Sequence, residues 1–351
     1  MAKRKLNRRQ EWRAKKIQQE REQRSLKKNR DLGRQVQSGQ LSGPQKGLVV
    51  CRYAKHFEVE ALEGQDQGKI HQCVSRANLG TVVTGDIVVW RAGAQLTGVI
   101  ESRQNRNNLL ERPDNYGKLK PVAANIDQVL VVIACQPEPQ ANLIDRYLVA
   151  ARLMDIQPVI VLNKSDLINS SNKSGLGALL STYQNLGYPT VKIISSRHQP
   201  AELANLPELI TQRTSIVVGQ SGVGKSSLIN TLLPDANLAV GALSSFSGEG
   251  THTTTQAKLF HLPGGGKLID SPGIRDFSLW HINESQLEQG FLEISAVVGK
   301  CRFRDCRHQQ EPDCAVLAAV QSGEISATRW DSFIRIREAI REQQARGLKA
   351  Q

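Results

Sequence analysis

The sequence predicts a multidomain chain in which a small β-barrel precedes an α/β domain with a mainly parallel sheet, and a short helical domain follows. Three observations support this. Short Val- and Ile-rich segments follow one another over residues 47–113, longer apolar strands alternate with helical segments over residues 126–273, and three cysteines and a histidine cluster near the carboxyl end. A chain of 351 residues is also long for a single hydrophobic core.

These changes of pattern predict four regions. We expect a basic, disordered tail and linker over residues 1–44, the barrel over 45–113, the α/β domain over 114–285, and a zinc-binding domain with a C-terminal helix over 286–351. The tail carries most of the charge, because residues 1–34 hold 14 Lys and Arg against 4 Asp and Glu, or +10 of the net +13. We expect it to contact nucleic-acid phosphates; a merely solubilising tail is the alternative.

The first folded region contains five strand-like segments: GLVVCRY, HFEVEAL, GKIHQCVSR, GDIVVWR and LTGVIES. A five-stranded barrel of the OB type is the simplest closed arrangement of such strands, and OB barrels often bind nucleic acid. An SH3-like barrel of similar length would give a similar pattern and remains the alternative.

The next region alternates strands and helices. The expected strands include IDQVLVVIAC, QPVIVLNKSD, TVKIISSR, TSIVVG and GKLID, and the helices lie near LIDRYLVAARLMD, near GLGALLSTYQNLG and after GKS. Strands that are apolar throughout are buried on both faces, so this pattern predicts a parallel sheet covered by helices on both sides.

The segment GQSGVGKSS has the G-x-x-x-x-G-K-S form of a phosphate-binding P-loop, between a strand and a helix that starts near Lys225. Its glycines let backbone N–H groups approach phosphate oxygens, and the helix N-terminus adds positive charge. Lys225 should reach the β- and γ-phosphates, and Ser226 should bind Mg²⁺. The nucleotide contacts expected here are Gly219, Gln220, Ser221, Gly222, Val223, Gly224, Lys225, Ser226 and Ser227.

The segment DSPG places Asp270 at the end of a buried strand, where its carboxylate can hold Mg²⁺ and its water shell, and where the Gly273 N–H can contact the γ-phosphate. The Thr-rich loop FSGEGTHTTTQ precedes it and is expected to close over Mg²⁺, although it could be an ordinary polar loop. The sequence does not decide which threonine of residues 251–255 closes over Mg²⁺. We assign nucleotide contacts to Thr253 and Thr254, and Mg²⁺ to Ser226, Thr254 and Asp270.

The segment NKSD predicts guanine recognition. The Asn163 amide can bond the purine N7 edge, the Lys164 stem can lie along the ring, and Asp166 can accept two N–H bonds that guanine donates and adenine cannot. Ser195 and Ser196 end another strand and are expected to supply a backbone contact to the base O6. The expected ligands are therefore GTP and GDP.

The base-reading motif begins 56 positions ahead of the P-loop, whereas GTPases usually have the P-loop first. Moving the last motif to the front is a circular permutation. It is physically permissible because the ligand contacts lie at the carboxyl ends of neighbouring strands, where spatial adjacency matters and chain order does not.

The cysteines fall into two groups. Cys301, Cys306, His308 and Cys314 have the spacing C-x₄-C-x-H-x₅-C, which suits one structural, tetrahedral Zn²⁺; a redox role or a chance grouping is the alternative. Intervening arginines 302, 304 and 307 could contact phosphate or could be solvated charges. Three other cysteines, Cys51, Cys73 and Cys135, stand singly among apolar residues and are expected to be buried.

Taken in order, NKSD, GQSGVGKSSLIN, GEGTHTTT, DSPG and the cysteine–histidine spacing resemble the circularly permuted ribosome-associated GTPases known as the RsgA or YjeQ family. The resemblance covers nearly the whole chain and adds least for the basic tail. It implies an OB-fold, a permuted GTPase domain and a zinc domain. It further implies a GTPase that binds the small ribosomal subunit and its rRNA late in maturation and is activated by that subunit.

Hydrolysis poses a separate question, because many GTPases place a water-orienting Gln directly after the D-x-x-G glycine and this chain has Ile274. His252 in the Thr-rich loop is the candidate catalytic residue, since imidazole can orient or deprotonate water. His252 could instead be a solvated loop residue, with a ribosomal group supplying the contact.

The expected setting is a cytoplasmic monomer that does not contact membranes, because no apolar run has the length of a membrane span and the start of the chain lacks an apolar signal core. Two other classes of function remain open. One is a GTP-dependent RNA-binding switch unrelated to ribosomes, and the other is a nucleotide-binding scaffold that does not hydrolyse GTP.

Overall fold

The computed structural model describes residues 41–76, 79–113, 118–195, 202–234, 256–270 and 282–349. The chain forms two compact units, of which the first ends at Arg106 and the second spans residues 107–348. The predicted basic tail lies almost entirely outside the described residues. Among the described residues, no helix combines the length and the apolar character that a membrane crossing requires.

The first unit is a closed five-stranded barrel, as predicted. Strand β1 pairs with both β2 and β4, β2 pairs with β3, and β5 pairs with β3 in parallel and with β4 in antiparallel fashion. This closure makes the barrel OB-like and leaves no open edge among these strands. The strands are β1 (Gln45–Arg52), β2 (Phe57–Ala61), β3 (Ile70–Ser75), β4 (Ile87–Ala92) and β5 (Thr97–Arg103).

Trp90 fills the centre of the barrel and is fully buried. Two glycines let neighbouring strands approach it: a Cβ on Gly47 would lie 2.5 Å from the indole Nε1, and a Cβ on Gly98 would lie 2.7 Å from the ring. The end of the unit is fixed by Arg106, which donates to both carboxylate oxygens of the buried Asp86 at 2.7 and 2.8 Å. The single cysteines of this unit, Cys51 and Cys73, are buried as predicted.

The second unit begins with a two-stranded ribbon, β6 (Leu109–Pro113) and β7 (Leu119–Ala124), which the sequence pattern did not predict. Strand β6 lies within the range expected for the barrel, yet its pairing partner is β7. The predicted bounds of the four regions therefore stay predictions. Short polar strands with partners close in sequence are weak signals, because their stability depends on neighbours that periodicity does not reveal.

The main sheet of this unit has the order β10-β9-β8-β11-β13-β12. All its neighbouring strands run parallel except β12, which pairs antiparallel with β13 and which we did not predict. Every residue of β8 and β11 is buried, which explains their continuous apolar sequence. The strands are β8 (Gln128–Ala134), β9 (Gln157–Asn163), β10 (Thr190–Lys192), β11 (Thr214–Val218), β12 (Lys258–His261) and β13 (Lys267–Asp270).

In the described part of this domain, four α-helices accompany the sheet: α1 (Ala141–Leu153), α2 (Lys173–Asn185), α3 (Leu206–Ile210) and α4 (Lys225–Leu232). One apolar cluster joins the sheet to α3 and α4 through residues such as Leu130, Val161 and Leu228. The fold is a mainly parallel α/β domain whose strands follow the permuted chain order, as the motif order predicted.

The carboxyl-terminal part is helical, with α5 (Glu284–Gly290), α6 (Leu292–Val297), α7 (Ala315–Ser322) and the long α8 (Ala327–Lys349). A reciprocal capping box between Asn283 and Gln286 starts α5. Helix α5 packs tightly on α1, since a Cβ on Gly290 would lie 2.3 Å from the Val149 side chain. Because of this close approach, the helical part and the α/β domain share one continuous packing surface.

Candidate nucleotide and metal sites

The predicted nucleotide motifs meet at one edge of the parallel sheet. Strand β9 ends at Asn163, β11 ends at Val218 just before the P-loop, and β13 ends at Asp270. Strands β9, β8, β11 and β13 are neighbours and run in the same direction, so their carboxyl ends lie side by side. This is where open α/β sheets bind ligands.

The P-loop has the backbone form that its glycines permit. Gly219 has φ +140°, and a Cβ there would lie 2.1 Å from the Val132 carbonyl oxygen of β8. Gly224 has φ +92° and caps α4, which starts at Lys225 as predicted. Any side chain at either position would collide with a neighbour, so the loop depends on glycine for its closeness to adjacent strands.

The Lys225 ammonium lies within the curve of the loop, where it donates to the carbonyl oxygens of Gly219 at 2.7 Å and Gln220 at 2.6 Å. Ser226 and Ser227 follow in the first turn of α4 and are partly exposed. The loop thus combines one cation, a helix N-terminus and glycine backbone, which together favour a phosphate group.

Asn163 joins three of the predicted segments. Its side chain is fully buried; Nδ2 donates to the Val223 carbonyl of the P-loop at 3.0 Å, and Oδ1 accepts from both the N–H and the hydroxyl of Ser195 at 3.0 Å. This amide therefore fixes the distances between the base-reading motif, the phosphate loop and the strand end at Ser195.

Lys164 adopts a left-handed conformation with φ +57°. Its ammonium donates to the carbonyl oxygens of Gly222 at 2.7 Å and Gln136 at 3.1 Å. Asp166 follows in a one-turn 3-10 helix, Ser165–Leu167, with its side chain exposed. Sequence reasoning missed Gln136, because it acts through its backbone and carries no side-chain signal.

Several predicted site residues lie outside the described part of the chain: His252, Thr253, Thr254, Gly273 and Ser196. Asp270 is described and stands at the last position of β13, partly buried. Their functional assignments remain predictions from the sequence. The structure brings together the P-loop, Asn163, Lys164, Asp166, Ser195 and the strand end that carries Asp270.

A second constellation lies in the carboxyl-terminal helical part. The ligand atoms of Cys301, Cys306, His308 and Cys314 all lie within 4.8 Å of one another. The sulfurs of Cys301 and Cys314 are 3.9 Å apart, and His308 Nδ1 lies 3.3 Å from the Cys314 sulfur. Two thiolates on one tetrahedral Zn²⁺ would be separated by about 3.8 Å. The donor set and its spacing are therefore compatible with zinc.

Neighbouring groups shift the pKa of two of these ligands, Cys314 and His308. Cys314 caps α7 and accepts from the Leu317 N–H at 3.5 Å. Burial opposes ionisation of Cys314, but this N–H and His308 outweigh it and lower the pKa of the thiol. On the far side of the imidazole, His308 Nε2 lies 3.5 Å from Glu288, an electrostatic contact that raises the pKa of His308 and orients Nδ1 toward the sulfurs. Sequence reasoning missed Glu288, because no spacing rule connects α5 to the cluster.

Comparison with known proteins agrees with this architecture. Residues 103–280 match the family model described as RsgA GTPase. The chain is 53% identical over 349 residues to the small ribosomal subunit biogenesis GTPase RsgA of Marinobacter nauticus, covering 99% of each chain. It is also 53% identical over 343 residues to the protein of the same name from Hahella chejuensis, covering 98% of each.

Two crystal structures have a similar fold. YloQ, described as a circularly permuted GTPase, superposes with a TM-score of 0.69 at 30% identity, covering 86% of this chain and 96% of YloQ. YjeQ from Thermotoga maritima gives the same TM-score at 29% identity and covers 85% of this chain and 99% of its own. The chain therefore belongs to the RsgA GTPase family and is a circularly permuted GTPase.

Proposed function

We propose that this GTPase binds the small ribosomal subunit late in its maturation and hydrolyses GTP to GDP and phosphate when the subunit activates it. The observation that carries this proposal is the 53% identity to a small ribosomal subunit biogenesis GTPase over 99% of both chains. Identity of this extent spans the barrel, the nucleotide site and the metal cluster together, so the whole arrangement of parts is shared.

The phosphate end of the site is assigned to the P-loop. Backbone N–H groups of the loop and the Lys225 ammonium are proposed to bind the β- and γ-phosphates. The position of Lys225 inside the loop, on the carbonyl oxygens of Gly219 and Gln220, supports this. Ser226, Thr254 and Asp270 are proposed to hold Mg²⁺, which when bound neutralises charge on the phosphates. The Gly273 N–H is proposed to contact the γ-phosphate.

The guanine end is assigned to the segment around Asn163. With Asn163 fixed between the P-loop and Ser195, the exposed Asp166 carboxylate is available to accept the two N–H bonds of guanine. Because the Ser195 N–H already donates to Asn163 Oδ1, Ser195 is proposed to hold this strand end in place and Ser196 to supply the backbone N–H to O6. The Lys164 stem lies along the base while its ammonium stays on the carbonyl oxygens of Gly222 and Gln136.

The water that attacks the γ-phosphate is proposed to be oriented by His252, because the side chain of Ile274 can neither donate nor accept a hydrogen bond. The isolated enzyme is then slow, and the subunit accelerates it by ordering the loop that carries His252. The variant His252→Ala should lose most of the stimulated rate while GTP affinity and subunit binding stay near those of the wild type. If the subunit still stimulated this variant fully, the attacking water would have to be oriented by a ribosomal group and not by His252.

The remaining parts are proposed to serve subunit binding. One Zn²⁺ per chain, held by Cys301, Cys306, His308 and Cys314, would brace the carboxyl-terminal domain and leave no coordination position for catalysis. The basic tail would contact rRNA phosphates, and the protein would act as a cytoplasmic monomer.

The deciding experiment compares GTP turnover by the purified protein alone, with purified small subunits, and with large subunits as the matched control. Stimulation by small subunits only is expected. Retained RNA affinity without stimulation would favour a switch unrelated to ribosomes, and GTP binding with no phosphate release under any condition would indicate a scaffold.

A further inference from the structure

A buried arginine of the carboxyl-terminal helix reaches into the GTPase domain. Arg329 lies in the first turn of α8 with 1% of its surface exposed. Its guanidinium donates to both carboxylate oxygens of Glu293 on α6, at 2.6 and 3.1 Å, and Nη1 donates to Asp145 on α1. Its Cζ lies 4.3 Å from the centre of the Phe291 ring. One side chain thus connects α8, α6 and α1.

Asp145 extends this cluster into the GTPase domain. It is fully buried and accepts the Tyr183 hydroxyl of α2 at 2.7 Å, and the same hydroxyl lies 3.5 Å from the Ala141 carbonyl at the start of α1. Burial raises the pKa of Asp145, and the Arg329 guanidinium opposes this. Asn142 adds a second link to α8 by donating to the Ser332 carbonyl at 3.3 Å.

Holding helices together does not require these charges. Apolar side chains of similar volume stabilise a buried contact as well as an ion cluster does, because charges lose their hydration on burial. What a bidentate arginine adds is a fixed direction, since its planar guanidinium donates to the two carboxylates in one geometry. The cluster therefore sets the orientation of α1 relative to α8.

The orientation of α1 matters because the segment leading into it belongs to the nucleotide site. Residues 135–140 join β8 to α1. The Gln136 carbonyl accepts the Lys164 ammonium at 3.1 Å, and Pro137 is the nearest neighbour of the P-loop residue Gly222, 3.5 Å from the place a Cβ would occupy. A shift of α1 would move both contacts.

We propose that Arg329 is a positioning residue for guanine-nucleotide binding, acting through Asp145 and α1 to hold residues 136–140 against Lys164 and Gly222. A partner that displaces the start of α8 would then change the affinity for nucleotide. By thermodynamic reciprocity, bound nucleotide changes the affinity for that partner by the same factor. The inference deepens the proposed nucleotide site and does not depend on the identity of the ribosomal partner.

The test is the affinity for a fluorescent GDP analogue, measured on the full chain without ribosomes. Arg329→Met keeps much of the length and the apolar contacts of the side chain but removes the guanidinium and its N–H donors. We expect its Kd to rise about five- to tenfold, with zinc content, circular dichroism and kcat at saturating GTP near those of the wild type. Arg341→Met is the matched control, because Arg341 makes a similar bidentate pair on α8, but with Glu284 of α5, at 2.7 and 2.6 Å. Its Kd should not change.

A second variant protects the test against loss of folding. Asp145→Asn keeps the shape of the side chain, should raise the Kd in the same direction, and should add little when combined with Arg329→Met. Folded variants of Arg329 or Asp145 with unchanged GDP affinity would overturn the proposal, as would an equal loss in Arg341→Met. A failure of small subunits to stimulate hydrolysis would bear on the proposed function and leave this measurement unaffected.

Discussion

At the scale of single residues, the assignment of the base rests on Asp166. Its carboxylate offers two acceptors and no donor, and only guanine presents two matching N–H groups. Replacing Asp166 with Asn substitutes a donor for one acceptor without changing the volume of the side chain. The buried anchors of the motif, Asn163 on Val223 and Ser195, are untouched by this change.

We therefore expect Asp166→Asn to weaken GTP binding roughly ten- to a hundredfold, the effect of losing hydrogen bonds to a charged group, and to reduce the preference for GTP over ATP. Thermal stability should stay near that of the wild type because Asp166 is exposed. Calorimetric titration with GTP and ATP checks this. Equal affinities for both nucleotides in the unmutated protein would contradict the assignment of the base.

At the scale of elements, the P-loop and the base-reading strand form one unit through a close contact at Gly224. A Cβ at this position would lie 2.3 Å from Asn163 Nδ2, on a backbone with φ +92°. The contact depends on two elements at once, because it exists only while the P-loop and the end of β9 keep their present positions.

The variant Gly224→Ala should displace Asn163 and weaken GDP binding more than a hundredfold, in addition to about 1–2 kcal/mol of backbone strain. Gly175→Ala is the matched control: Gly175 lies in α2, and its Cβ would meet no atom within 4 Å. That change should leave binding intact and stabilise the fold by about 0.5–1 kcal/mol. Fluorescence titration and thermal unfolding of both variants decide the matter, and wild-type GDP affinity in Gly224→Ala would refute this account of the loop.

At the scale of the whole molecule, the metal cluster and the basic tail bear on different properties. The cluster lies in the helical part that supplies α8, so loss of a bound Zn²⁺ is expected to affect folding of that part first. The tail holds +10 of the net +13 charge in its first 34 residues, so its loss is expected to affect association with polyanions.

For the metal, purified protein should contain about one Zn²⁺ per chain, and Cys306→Ser should lose it and loosen the carboxyl-terminal helices. GDP should still bind, with an affinity reduced no further than in Arg329→Met, because the nucleotide-binding residues lie at the edge of the parallel sheet and not in the helical part that holds the metal cluster. Metal analysis and limited proteolysis test this. Freshly purified, unchelated protein without zinc would rule out a zinc site.

For the tail, deleting residues 1–34 should weaken binding to small subunits and flatten the dependence of log K on log salt concentration, since fewer counterions are released. A full-length chain with these Lys and Arg residues changed to Gln separates charge from length. An unchanged salt slope in either variant would mean that the tail does not contact phosphate.

The sequence by itself determined the parts whose chemistry is local. The P-loop, NKSD and the zinc-compatible cluster each consist of a few residues at fixed spacing, and the buried strands β8 and β11 are apolar throughout because both faces are covered. The five barrel strands were also predictable, since alternation and turn residues mark them. These signals depend on neighbours along the chain, so one sequence suffices to read them.

Only the tertiary structure decided which distant residues support these parts. Gln136 holds Lys164 through a backbone carbonyl, Glu288 faces His308 from another helix, and Arg329 reaches Asp145 across 184 positions of sequence. Neither periodicity nor spacing encodes such pairs, because a surface arginine and a buried one look the same in a helix of mixed charge. Their roles follow from burial and direction, which exist only once the helices have packed.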